Sequence, residues 1–130
     1  MANEFEIVKR LAAEAMGWEV TEEERDGEPL LWLRQGELVR CFPEGPQKWN
    51  PFTQLRAGEE VLSALGRLGW SFRWVDNGTT AQFRSNGNGT VVESPVESIP
   101  DGFGRSYDPP CLLAAICSAA DAALRLGVRV

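Results

Sequence analysis

The chain has 130 residues, 43% hydrophobic and 25% charged, which fits one globular domain, 1–130, with a single buried core. A net charge of −6 and a pI near 4.7 argue against broad binding to the phosphates of DNA or RNA, and no apolar run approaches the ~20 residues of a membrane span. The sequence holds no histidine, which removes the commonest general base and every Ser-His or Cys-His nucleophile.

The opening residues MANEFEIVKR lack the basic-then-apolar order of a secretory signal, so a cytoplasmic location is expected. Asn3 and Glu6 have the spacing of a capping box. Phe5, Ile7, Val8, Leu11, Ala12, Ala15 and Met16 then form an apolar stripe, which predicts a helix over 3–16 ended by Gly17. The segment 18–28 contains TEEERDGE, with four glutamates and one aspartate in eight residues. Such a run can mimic nucleic-acid phosphate, or it can be a solvated loop or strand edge. The solvated reading is preferred, because a mimic carries acidity over most of its surface. Residues 30–33 and 37–42 are short strand candidates around Gln35-Gly36, and the Pro- and Gly-bearing 43–48 segment is a loop.

A central unit follows. Asn50-Pro51 has the form of a helix start, Leu55, Val61, Leu62, Leu65 and Leu68 recur at helical spacing, and Gly69 sits where a left-handed stop belongs, which predicts a helix over 54–68. The period then changes to two. Trp70, Phe72 and Trp74 share one face of a strand and Ser71, Arg73 and Val75 the other; Asp76-Asn77-Gly78 makes a tight turn and 79–84 returns. Ser85 to Gly89 is a further turn, 90–93 a strand candidate, and 94–110, with four prolines and two glycines, an irregular loop of about seventeen residues. The last helix is expected over 110–126, with Leu112, Leu113, Ala115, Ile116, Ala119, Ala120, Ala123 and Leu124 covering more than one face. These elements predict an α+β fold in which an antiparallel sheet of four or five strands is covered by three helices.

Cys41, Cys111 and Cys117 show no CxxC spacing, and without histidine a zinc site would need carboxylates to complete it. Buried free thiols are expected, with no metal and no cofactor. The chain has no GxxxxGK[ST] loop, and Gly87-Asn88-Gly89 follows a strand without opening a helix, so it fails as a dinucleotide fingerprint. The carboxylate pairs Glu59-Glu60 and Glu93-Glu97 read as solvated surface. A non-catalytic protein is therefore expected. The polar face of the hairpin carries Arg73, Gln82 and Arg84, with Phe83 opposite and Arg105 and Tyr107 in the long loop. Arginines, an aromatic ring and asparagine amides are what a nucleotide-sized anion needs. The expected ligand site is Arg73, Arg84 and Arg105 on phosphate, Phe83 or Tyr107 stacking on a base, and Asn86 or Asn88 reading its edge; the alternative is that Phe83 and the tryptophans are core and the arginines ordinary solvent-facing strand residues.

The runs WNPFTQLRAGEEVLSALGRLGW (49–70) and PPCLLAAICSAADAAL (109–124) resemble the phage ABA sandwich domain family of NinX-like small phage proteins. The residues carrying the likeness are Trp49, Asn50, Pro51 and Thr53 at the helix opening and Ala115, Ile116, Cys117, Ala119 and Ala120 in the last helix. Phe52 departs from it, where a small hydroxyl residue is more usual, and so does the 19–48 segment. The resemblance implies a three-layer α/β/α sandwich and a bacteriophage or prophage accessory protein working inside an infected host. One such role is a counter-defence sponge that sequesters a small cyclic nucleotide signal. The alternative is a phage protein that blocks a host protein through the acidic segment or the hairpin. The aromatic hairpin and the Ala-rich last helix also lead us to expect self-association.

Overall fold

A computed structural model describes residues 4–43, 45, 47–96 and 109–126, the last of these by backbone alone at 109–111. The elements are α1 (Glu4–Arg10), β1 (Glu19–Arg25), β2 (Glu28–Gln35), β3 (Leu38–Phe42), α2 (Leu55–Arg67), β4 (Trp70–Val75), β5 (Thr80–Ser85), β6 (Val91–Pro95) and α3 (Pro109–Leu126). The class is α+β with three helices, but the expected single sheet is wrong. There are two separate three-stranded antiparallel sheets, ordered β1-β2-β3 and β4-β5-β6.

Two physical reasons separate the sheets. The acidic stretch, expected as a loop or an edge, completes a local meander: Asp26 and Gly27 both take positive φ (54° and 78°), and this two-residue turn folds β1 onto β2 in register Glu19↔Arg34 to Arg25↔Glu28. The far edge of β3 is then occupied by its own chain. Trp49 N–H donates to the Cys41 carbonyl at 2.9 Å, Cys41 N–H donates to that of Gln47 at 3.4 Å, and Cys41 bridges Lys48 in parallel. Neither edge of the first meander invites the second one.

The layering is also the reverse of the expected α/β/α order. The inner face of the second sheet, with Trp70, Ala81 and Phe83 buried, packs on α3. The other sides of α3 meet α1 and α2, and residues all around it are buried, from Leu113 and Cys117 to Ala120 and Ala123. The first sheet turns Leu31, Leu33 and Phe42 inward, and Phe42 meets Phe5 of α1 with ring centroids 6.5 Å apart. Helices therefore occupy the middle of the molecule and sheets its outside. None of the described helices is long and apolar enough to cross a membrane.

Helix details differ in two places. α1 continues as a π-helical segment over Leu11–Ala15, where Met16 N–H donates to the Leu11 carbonyl at 3.0 Å, before Gly17 (φ 73°) ends it. The expected cap, Asn3, lies outside the described residues. Asn50 does not open α2. Its side chain accepts from Phe52 N–H at 2.9 Å, its own N–H donates to Gln54 Oε1 at 2.6 Å, and the helix starts one turn later behind Gln54. An Asx turn has used the acceptor that a helix cap would need.

Buried charge ties α1 to α3. Asp121, 1% exposed, accepts from Arg10 across the helix interface and pairs with Arg125 at 3.0 Å, one turn further along α3. Gly58 of α2 lies tight against α3: a β-carbon there would stand 2.4 Å from Leu113 Cδ2.

Candidate functional site

The second meander has two unlike faces because its residues alternate. Phe72, Trp74 and Phe83 point to the helices, with Phe72 and Phe83 centroids 5.0 Å apart. Ser71, Arg73, Gln82, Arg84 and Glu93 point outward. The register sets them in two cross-strand rows: Arg73↔Gln82↔Glu93, and Ser71↔Arg84↔Val91.

The first row is bonded end to end. Arg73 Nε donates to Gln82 Oε1 at 2.9 Å, and Gln82 Nε2 donates to Glu93 Oε2 at 2.7 Å. Gln82 is buried between them at 8% exposure, so this row is held in one geometry. The second row differs. Arg84 is exposed and has no hydrogen bond or ion pair among the described residues.

Beside Arg84 stands the β5–β6 turn, 86–89. Gly89 takes φ 76°, and its N–H donates to the Ser85 carbonyl at 3.0 Å. Asn86 N–H donates to the Gly69 carbonyl at 2.8 Å, and its Oδ1 accepts from Ser71 Oγ at 2.6 Å. Asn88 Oδ1 accepts from Thr90 N–H at 3.0 Å. That backbone donor fixes which way the Asn88 amide points, and it leaves the Nδ2 donors turned away from the bond. Arg84 reaches over this turn, its Nη2 lying 3.9 Å from where a Gly89 β-carbon would be. Between the strands and the turn is an open groove of about 600 Å3, lined by Ser71, Arg73, Gln82, Arg84, Asn86 and Asn88 among others. The size falls within the range of small-molecule sites.

Four of the expected site residues, Arg73, Arg84, Asn86 and Asn88, thus line one groove. Phe83 does not: it is 0% exposed on the opposite face of β5, packed in the core and out of reach of a ligand on the outer face. Arg105 and Tyr107 lie outside the described residues. Ser71 and Glu93 were missed as parts of the site. The signal was present in the hairpin turn, which sets the register and so puts Ser71 opposite Arg84.

Two of the carboxylates read as surface, Glu60 and Glu93, have specific partners, whereas Glu59 is exposed. Glu60 Oε1 accepts from Trp49 Nε1 at 2.8 Å and pairs with Arg40 at 3.3 Å, and Arg40 lies 4.7 Å from the Trp18 ring centroid, an arrangement that fastens α2 to β3. Glu93 belongs to the groove row, and Glu97 lies outside the described residues. Cys41 and Cys117 are free and buried. Burial pushes the Cys117 thiol far up, with the Glu4 and Asp121 carboxylates adding to it, and burial raises Cys41 against a smaller opposing pull from Arg25. Both are poor nucleophiles for that reason. The side chain of Cys111 is outside the described set. No group of His, Cys, Asp and Glu that could hold a metal ion occurs among the described residues. No family model, curated protein or solved structure matches the chain.

Proposed function

We propose that this protein is a non-catalytic binder of a small anionic nucleotide, which it holds in the outer groove of the second sheet and returns unaltered. The carrying observation is Arg84, a guanidinium with no partner among the described residues, set over a turn that presents the Asn88 amide. A guanidinium and an amide converging on one open space suit a phosphate oxygen fork. Arg73 adds positive charge further along, but Glu93, joined to it through Gln82, opposes an anion at that end. The phosphate therefore belongs at the Arg84 and Asn88 end. With net charge −6, the chain gains no long-range steering for an anion, so recognition rests on these local donors. In a bacterial host infected by a phage, such binding would act as a sponge for a cyclic nucleotide immune signal.

A ligand screen by thermal shift over cyclic nucleotides and ADP-ribose derivatives tests this. At a hundredfold excess over Kd, a true ligand stabilises by about 2.7 kcal/mol, which a shift assay resolves easily. Heating the complex should then release intact nucleotide. Cleaved nucleotide would refute the non-catalytic reading, and the absence of any shift across the panel would refute nucleotide binding.

One observation favours the alternative, a phage protein that blocks a host protein. β1 lies at a sheet edge with every residue but Val20 exposed, and Glu19, Glu22, Glu23 and Glu24 stand on it. Under that reading a pull-down from host lysate recovers a stoichiometric protein, which Glu22→Lys with Glu24→Lys abolishes.

A further inference from the structure

Two three-stranded sheets have four outer edges, and among the described residues three of them are protected. β1 carries four glutamates and Arg25 in seven residues, a charged edge that repels another strand. β3 is capped by the 47–49 segment through backbone hydrogen bonds. β6 is five residues long, carries Glu93, and ends in Pro95, which cannot donate. β4 has none of these devices. It is six residues long, has no proline, and bears one charge, Arg73, whose Nε is engaged with Gln82 of its own sheet. Among the described residues, no other strand lies on its far side. Its inward aromatics Phe72 and Trp74, packed edge-on at 5.3 Å, remain half-exposed although they face the core side.

We infer that β4 pairs antiparallel with β4 of a second copy, joining two meanders into one six-stranded sheet and bringing two grooves onto a common outer face. The inference rests on the nucleotide-binding reading only for its consequence, not for the assembly. Paired residues on antiparallel strands share a face, so the register must place even residues opposite even ones. Centring the two-fold axis on Arg73 would set it against the partner's Arg73, a like-charge pair that destabilises the sheet. Centring it on Phe72 avoids this. Phe72 then meets the partner's Phe72, Trp70 meets the partner's Trp74, and Ser71 meets the partner's Arg73. The inner face gains aromatic cross-strand pairs, and the half-exposed rings gain cover.

The consequence concerns the ligand. β4 forms one margin of the groove, so the pairing lays Ser71 and Arg73 of each copy side by side between the two Arg84 side chains. The two β5 strands stand three strand spacings apart, about 14 Å. A continuous face with an exposed arginine at each end suits a ligand bearing two phosphates related by a two-fold axis, such as a cyclic dinucleotide, better than a mononucleotide.

The test is sedimentation of the full chain at micromolar concentration without nucleotide, so that assembly is read apart from binding. The wild type should sediment as a dimer of 14.4 kDa subunits. Ser71→Lys places a like charge against the partner's Arg73 twice per dimer and should weaken association by about tenfold, while Ser71→Glu should leave it equal or tighter. Ser71 is exposed in the monomer, and circular dichroism checks that both variants fold. A wild-type monomer overturns the pairing, as does a dimer on which the two variants have the same effect. A dimer with the predicted charge response that binds no nucleotide upholds the pairing and refutes the proposed function instead.

Discussion

Replacing Asp121 by Ala should be among the most damaging single changes available. The carboxylate is 1% exposed and stands between Arg10 of α1 and Arg125 of α3. Removing one partner of a buried pair costs roughly 3–5 kcal/mol, because the other charge stays buried without compensation. The orphan here is Arg10, whose side chain is 25% exposed and can move partway to water, which places the loss near the lower figure, about 3 kcal/mol. That is a large fraction of the roughly 5–15 kcal/mol that stabilises a domain. Arg125 is 56% exposed and one helical turn from Asp121, so Arg125→Ala should cost no more than about 1 kcal/mol. Arg10→Ala falls between, since Asp121 keeps Arg125. Urea unfolding followed by tryptophan fluorescence gives the three values, and the Arg10→Ala/Asp121→Ala double-mutant cycle gives the coupling. If Asp121→Ala costs under 1 kcal/mol, or Arg125→Ala costs as much as Asp121→Ala, the α1–α3 ion pair does not hold the helices together.

The two glycines of α2 should respond with opposite signs. Gly58→Ala forces a β-carbon onto Leu113 and should lose about 1–2 kcal/mol despite the better helix former, whereas Gly66→Ala meets nothing within 4 Å and should gain roughly 0.5–1 kcal/mol, both read by urea midpoint. Arg84→Ala should weaken nucleotide binding by at least about tenfold in calorimetry while leaving the urea midpoint unchanged, since the side chain is exposed and has no partner among the described residues. Cys117 ionises above its ordinary value of 9.0 in the folded chain, so only the unfolded chain releases that proton as pH rises past 9; stability should be insensitive to this thiol below pH 8 and fall above pH 9, by up to about 1.4 kcal/mol per unit. Denaturation at pH 8 and pH 10 in wild type and Cys117→Ala checks it, and equal pH responses would refute the assignment.

Much of the local structure was legible in the sequence because it is set by neighbours along the chain. The positive φ angles of Asp76, Asn77 and Gly78 are those the turn residues demanded, and the alternation of Trp70 to Val75 sorted the faces of the second sheet correctly. β1 was harder, since a run of glutamates opposes strand propensity. Its pairing comes from the Asp26-Gly27 turn and from β2, whose Leu31 and Leu33 face the core. The division into two sheets was not readable, because it depends on which edges the folded chain covers, as the 47–49 segment covers β3. Phe83 shows the same limit at the site. Alternation put it opposite Arg84, yet whether that face met water or α3 was a matter of layering, and the layering came out inverted. Asp121 gave no signal beyond an acid in an alanine-rich helix; only the arrival of Arg10 from 111 residues away explains it.

The position of α3 at the centre has a consequence for how the molecule is made. Each meander pairs only with its own consecutive strands, so both can form early, from local contacts and short turns. The helix that covers the second sheet, α3, is synthesised after both. Until it docks, Ala81 and Phe83 of β5 lack the helix that covers them, and Arg10 of α1 lacks its Asp121 counter-ion. A nascent chain that has not yet reached residue 109 therefore lacks the helix that closes its interior. During that stage β4, the least protected edge, is open to strand pairing with other unfinished chains. Growth of the chain through residues 109–126 then supplies the helix that covers β5 and β6, while among the described residues the β4 edge stays open, the edge along which two finished copies pair.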